Sequence, residues 1–176
     1  MRTVLCVLAL ISCALPSFAQ RSSSRKSVEG QSSFYAELGG PGILFSANYD
    51  RRFKPSNLGW GIRAGLGFVT SDDYQGPYIG YKQRSVLTVP IQINHVFGKA
   101  HSPHTFEAGA GFTVLSKKID VFNYYDNDRE QLFGTFSFMY RRQPVNGGFS
   151  WRIGFTPLIS SSYIQPSGGA SVGYNF

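Results

Sequence analysis

The stretch Trp60-Gly61-Ile62-Arg63-Ala64-Gly65-Leu66-Gly67-Phe68 places an apolar side chain at every even position and Gly or Arg at every odd one. A period of two belongs to a β-strand, whose successive side chains point to opposite faces. One face here is a continuous apolar stripe. The other holds three further glycines and a charge, which is too polar for a soluble core. It also lacks the Lys, Glu and Thr of a water-washed strand. Glycine inside a strand marks crowding, so the small-residue face points into a tight space.

Working outward, the same alternation recurs. It predicts eight strands, near 33–39, 43–53, 60–70, 85–97, 105–119, 131–142, 148–159 and 168–176. Most approach the ~9–11 residues that a tilted strand needs to cross a bilayer. The connections 54–59, 98–104 and 143–147 are short and carry Pro, Asn or Gly, as turns do. Those at 71–84 and 120–130 are long and polar, and only the link 40–42 is brief on that side. The expected fold is all-β: an eight-stranded antiparallel up-and-down transmembrane β-barrel with short turns at the end that holds both termini.

The two faces support an apolar-out arrangement. One parity gives Ile43, Phe45, Ala47 and Tyr49, then Leu87, Val89, Ile91 and Ile93, then Phe149, Trp151, Ile153 and Phe155, with aromatics toward the ends of the stripes. Aromatic rows at strand ends suit two bilayer interfaces. The other parity carries Glu37, Asp50, Arg52, Arg63, Glu107, Arg141 and Arg152 among Gly, Ser and Asn. An eight-stranded barrel is just wide enough for side chains to fill it. Three acids and four bases in that space must pair, since an unpaired buried charge is expensive. We therefore expect a lumen charge network that closes the barrel to ions, below an upper half lined by Gly, Ser and Thr and open as a cup. Charges at the mouth would instead be solvated. Arg51, on the apolar parity, is expected to snorkel to lipid phosphates. The opposite arrangement, apolar-in, is that of a soluble exported lipocalin-like lipid carrier.

The first twenty residues read as an address. Arg2, the apolar run 4–15 and the small residues at Ser17 and Ala19 form a secretory signal peptide, 1–19, too short to span a membrane. A lipoprotein box at 10–13 ending on Cys13 is the lesser alternative. Both cysteines, Cys6 and Cys13, lie in this leader, so an exported mature chain would hold its fold without disulfides. Residues 20–32 are Ser-rich and basic and read as a flexible periplasmic linker; the barrel occupies 33–176. The chain has 176 residues, 15% aromatic and 15% charged, with 20 Gly and a formal charge of +7. That composition excludes a disordered chain, a coiled coil and a collagen-like fibre. Scattered bases and an exported destination argue against nucleic acid as a partner.

The alternation Ala170, Val172, Tyr174 and Phe176, running to the last residue, resembles small bacterial outer-membrane β-barrel proteins, the eight-stranded kind typified by the OmpA transmembrane domain. The segments Glu37-Leu38-Gly39-Gly40 and Asn48-Tyr49-Asp50-Arg51-Arg52-Phe53 look like barrels of Bacteroidetes-type bacteria. The resemblance covers 34–176. It implies a bacterial outer-membrane location, outer-membrane lipid as surroundings, and Val172, Tyr174 and Phe176 as the signal read by the barrel-assembly machinery.

Candidate chemistry is thin. His95, His101 and His104 fall at one strand end and the next turn, without ligand spacing to Cys or Glu. Asp126-Asn127-Asp128 lacks the spaced ligands of a calcium loop. No nucleophile elbow, phosphate loop or zinc motif is present. Family members that deacylate lipid A use a Ser/His pair on the outer rim, and no such placement is found. The expectation is a non-enzyme with no catalytic residues, no metal site and no cofactor. The long connections gather Tyr74, Tyr78, Tyr81, Tyr124, Tyr125 and Tyr163. Tyrosine offers an apolar face and a hydroxyl, which makes this set a candidate surface for an extracellular glycan or protein. The readings left are a structural or surface-binding barrel, a narrow pore, and the soluble lipid carrier.

Overall fold

The computed structural model describes residues 30–74, 81–119, 130–161 and 163–176. The leader, most of the linker, and Tyr78, Tyr124 and Tyr125 lie outside the described residues. The strands are β1 (Ser32–Gly39), β2 (Phe45–Arg52), β3 (Gly59–Tyr74), β4 (Tyr81–Gly98), β5 (His104–Ile119), β6 (Glu130–Arg142) and β7 (Gly148–Phe155). Two-residue strands β8 (Leu158–Ile159) and β9 (Ile164–Gln165) follow, and β10 (Gly168–Asn175) ends the sheet. Every pairing is antiparallel between neighbours, and β1 pairs with β10 to close the ring.

The last two staves are each made of two pieces. β7 pairs β6 through Phe138 to Arg142, and β8 resumes that pairing at Gly134 and Thr135. Pro157 lies between the pieces, and proline cannot donate to a ladder. Its carbonyl still accepts from the Phe136 N–H at 3.1 Å, and Thr156 N–H reaches across to the Ser167 carbonyl at 2.8 Å. The wall is therefore continuous around eight staves: β1 to β6, β7 with β8, and β9 with β10. The β3–β4 ladder is likewise interrupted opposite Pro90.

Strands β3 and β4 run further than the alternation suggested. They extend to Tyr74 and back from Tyr81, and these two residues are cross-strand partners. Segments 71–74 and 81–84, expected as loop, are ladder instead. Tyr74 and Tyr81 of the expected loop surface thus stand on paired strands rather than in irregular chain.

The parity assignment sets which side of each strand meets the lumen. Phe34, Leu38, Leu66, Phe106, Ile153 and Val172 point outward, each more than half exposed. Glu37, Ser46, Asn48, Arg63, Gln92, Asn94 and Ser137 point inward and are fully buried. The apolar stripes face out and the polar face lines the lumen, the reverse of a soluble lipid carrier. Ile43 departs from its stripe. It is not an outward strand residue but a buried one, 7% exposed, in the β1–β2 link.

Candidate functional site: a braced lumen

The site is the barrel interior, built from inward positions of facing strands. Arg63 on β3 donates to Glu107 on β5 and, at 3.1 Å, to the Gln92 carbonyl oxygen on β4. Glu107 Oε2 also accepts from Arg141 Nη1 on β6 at 3.0 Å and from Arg152 Nη1 on β7 at 3.4 Å. Asp50 on β2 accepts from Arg141 Nη1 at 2.9 Å and from its strand neighbour Arg52. Arg152 lies 3.5 Å from Glu37 on β1, an ion pair without hydrogen-bond geometry. All seven charges thus lie in one connected cluster, each side chain at most 3% exposed.

The chain separations show why this cluster acts as a brace. Arg141 and Asp50 are 91 residues apart, and Arg152 and Glu107 are 45 apart. Neither pair shares a ladder. These contacts cross the lumen and tie β1, β2, β3, β5, β6 and β7 together from inside. Each carboxylate in such a site needs several donors, because a half-satisfied buried charge is costly. Glu107 alone receives three arginines.

Four arginines meet three carboxylates, so one positive charge remains over. Tyr35, buried on β1, supplies part of the answer. Its ring face lies 3.4 Å from the Arg152 guanidinium carbon and 5.3 Å from that of Arg63. The negative face of a π-system attracts a cation most strongly where water is excluded. Asn94 accepts from Arg52, Ser33 from Arg141 at 3.1 Å, and Ser171 from Arg152 at 2.8 Å. Tyr35, Gln92 and Asn94 were not singled out as site residues from the sequence. Their inward parity was the available signal.

The two ends of the lumen are lined differently. At the end bearing the termini, Gln143 donates to the Asn57 carbonyl at 3.1 Å and accepts from Asn175 at 3.4 Å, beneath the charge cluster. At the other end, Ile43, Val69, Val86, Leu115, Phe133 and Leu158 form an apolar cluster. An open cup of Gly, Ser and Thr was expected there, and that expectation is corrected. Every member of this cluster except Ile43 is an inward-parity residue near a strand's far end.

Ile43 is delivered by the β1–β2 link. Gly40-Pro41-Gly42 forms one 3-10 turn that is buried in the barrel mouth. Gly39 and Gly40 both take φ of 67°, the left-handed region that glycine enters without steric cost. Thr113 Oγ1 donates to the Pro41 carbonyl at 2.6 Å and Thr88 Oγ1 to the Gly42 carbonyl at 3.1 Å. Leu44 N–H then closes on the Gly42 carbonyl at 3.2 Å. With φ 77° and ψ −71°, Ile43 sits at the centre of a γ-turn, a conformation rare for a β-branched residue. The surrounding apolar cluster compensates that local strain.

No family model matches this chain, and no curated protein matches it in sequence. Two solved structures do match in shape. The N-terminal β-barrel domain of Pseudomonas aeruginosa OprF aligns over 82% of this chain and 95% of that one, with a TM-score of 0.55 and 11% identity. The fold is that of the small eight-stranded outer-membrane barrels. The Yersinia pestis outer membrane protein Ail aligns over 84% of this chain and 100% of that one, with a TM-score of 0.51 and 13% identity.

The remaining sequence-derived candidates fall on the outer surface of this outer-membrane-barrel fold. Val172 and Tyr174 point outward on β10, and Phe176 follows with its ring 6.5 Å from Tyr49. His95 meets Trp60 edge-on and Phe97 at a tilt, at centroid distances of 4.9 and 4.3 Å. His104 Nδ1 hydrogen-bonds the Tyr140 hydroxyl. Tyr163 is half-buried in the β8–β9 connection, where its carbonyl accepts from Ser160 N–H at 2.9 Å. The structure therefore brings the seven lumen charges together and leaves Tyr74, Tyr81 and Tyr163, the described members of the loop set, apart from them at the far end.

Proposed function

We propose that this protein is an integral barrel of the bacterial outer membrane whose lumen is closed to ions, and that its role is structural or surface-binding rather than catalytic. The observation that carries the reading is the lumen itself. Seven charges are buried in one cross-strand cluster, with a polar cap under it and an apolar cap over it. An ion entering would have to break Arg–carboxylate pairs and cross an apolar constriction. The outward apolar face supports a lipid setting, since a soluble monomer rarely exposes contiguous apolar patches of more than a few hundred Å².

The eighteen residues of β4 correspond to roughly 45 Å of height at the ~40° tilt usual for such barrels, against an apolar band of ~25 Å. The surplus at the loop end presents the Tyr74–Tyr81 hairpin beyond the lipid, and with Tyr163 it is the surface to which we assign recognition of an extracellular glycan or protein. Export by a cleaved leader and insertion by the barrel-assembly machinery belong to the same reading.

Planar-bilayer recording of the purified barrel tests it. A membrane that stays silent after insertion, with insertion shown by a heat-dependent shift on SDS gels, is the expected result. Steady conductance altered by Glu37→Ala or Arg152→Ala would establish the narrow pore instead. Recovery in the soluble fraction with no heat-dependent shift would remove the membrane assignment.

A further inference from the structure

The outer charges are distributed unevenly between the two ends. At the end holding the termini, Arg51, Lys54, Lys99 and Arg142 are all exposed. No acidic side chain occurs in the described stretches 30–34, 51–60, 95–106, 140–151 and 172–176 that make up this rim. Of the ten acids of the sequence, Glu37, Asp50 and Glu107 are in the lumen, Asp72, Asp73 and Glu130 are at strand ends of the opposite mouth, and Glu29, Asp120, Asp126 and Asp128 are outside the described residues. Arg52 and Arg141, also at this end, turn inward and are paired. The four outward bases are thus a separate population with no acid of the described rim to neutralise them.

Two of them stand on the lipid-facing parity among aromatic rings. Arg142 pairs across the ladder with His104 on one side and Trp151 on the other. Tyr140, two residues back on the same face, packs its ring 5.4 Å from Trp151 and 5.7 Å from Phe106. Arg51 stands about half a turn around the barrel, between Ser32 and Ile62 across the ladder, with aromatic rings at the next outward positions. It follows Tyr49 and precedes Phe53 on its face, and the next rung of the ladder is Phe53 with Trp60. Each arginine therefore rises from an aromatic girdle, the level at which rings sit between acyl chains and headgroups. A guanidinium there reaches headgroup phosphate while its stem stays on apolar surface.

We propose that this rim is a binding surface for phospholipids with net-anionic headgroups in the inner leaflet, centred on Arg51 and on Arg142, with Lys54 and Lys99 adding to the field. The inference rests on the membrane reading above. A zwitterionic lipid brings its own cation and gains less beside four unneutralised bases. A phosphatidylglycerol-type headgroup carries an uncompensated charge and gains more.

The two tryptophans of the chain, Trp60 and Trp151, report the two positions separately. Trp60→Phe and Trp151→Phe each leave one fluorophore. The test is quenching of each by brominated phosphatidylglycerol and by brominated phosphatidylcholine, mixed with unbrominated lipid in vesicles. The expected result is quenching by both lipids, with phosphatidylglycerol preferred roughly fivefold beside each tryptophan, the factor one surface-adjacent base supplies. Arg142→Gln should bring the preference at Trp151 close to one and leave Trp60 unchanged, and Arg51→Gln should do the converse. Raising salt to about 0.5 M should lower both preferences in the parent.

Equal quenching by the two lipids in the parent, or a preference untouched by both substitutions and by salt, would overturn the inference while leaving the barrel in its membrane. No quenching by either lipid would overturn the membrane reading, and the inference with it. The salt series on the parent keeps the test decisive if a variant fails to fold.

Discussion

Glu107→Gln is the sharpest probe of the lumen. The substitution keeps size and shape, so packing is conserved and only the charge is lost. Glu107 is 2% exposed and accepts from Arg63, Arg141 and Arg152. With it neutral, Glu37 and Asp50 alone would face four arginines. Removing one partner of a buried ion pair costs about 3–5 kcal/mol, because the remaining charges stay desolvated. In an unfolding equilibrium that is a factor of roughly 150 to 5,000.

Reversible urea unfolding from lipid vesicles, followed by tryptophan fluorescence, measures the loss. Glu130→Gln is the control. Glu130 lies at the loop end, bonded to Ser161, and its loss should cost less than about 1 kcal/mol. Combining Glu107→Gln with Arg63→Met should cost less than the sum of the two single changes, by about 0.5–3 kcal/mol, since each is the other's partner. The Glu107→Gln penalty should also persist at high salt, as buried pairs are weakly screened. A penalty below about 1 kcal/mol, or one that salt abolishes, would mean that the cluster is solvated. The brace, and with it the sealed lumen, would then be wrong.

Three further outcomes follow from the same geometry. Leu66→Arg places a charge on the outward face, where Leu66 is 60% exposed; in vesicles it should cost about 2–4 kcal/mol, whereas a soluble barrel would lose no more than about 0.5 kcal/mol, and urea titration separates the two. Leu115→Ala empties the centre of the apolar cap, where Leu115 is fully buried, and should cost about 2–5 kcal/mol in the same assay. Gly173→Ala would press a methyl group on the Phe34 carbonyl and the Tyr35 side chain. It should destabilise by about 1–3 kcal/mol, seen as a lower temperature for the gel-mobility shift.

Strict alternation made the wall legible. Wherever inward and outward residues differ in polarity, as from Trp60 to Phe68, one sequence fixes both the strand and its orientation. The charge cluster was legible for the same reason, as Glu107 and Arg152 share the inward parity. Their pairing was not, because partners 45 residues apart depend on the barrel's stagger. The apolar cap was missed where parity and polarity disagree. Val69, Val86, Leu115 and Phe133 are inward but apolar, so the rule that apolar means outward passes over them. Ile43 was assigned outward because it continues the rhythm of β2. The left-handed link at Gly39 and Gly40 resets that rhythm, and no period-two reading registers a reset. The hairpin beyond Thr70 was hidden by Asp72 and Asp73, which resemble loop until the ladder pairs them with Lys82 and Gln83.

The two halves of the lumen depend on each other physically. An ion-pair network holds strands at a fixed separation only if water does not compete for its charges, and the strength of each pair rises as the local dielectric falls. On the proposed reading, the apolar cluster from Ile43 to Leu158 keeps the loop end of the interior dry and the Gln143–Asn57–Asn175 contacts cover the other end. The cap in turn needs a mouth of fixed width, since the link carrying Ile43 is held by threonine hydroxyls of β4 and β5 on its Gly42 and Pro41 carbonyls, and Ile43 clusters with residues of β3, β4, β5, β6 and β8. Cross-lumen arginines set that width. A barrel in lipid draws little driving force from its outward face, which meets apolar surroundings whether folded or inserted as separate strands. A closed ladder and an interior cross-linked by ion pairs are therefore where its uniqueness of structure must come from. On that footing the positive charge in excess of the three carboxylates belongs to the cluster as a whole, and Arg152, set against the Tyr35 ring, joins two of its acids by reaching Glu37 on β1 and Glu107 on β5 at once.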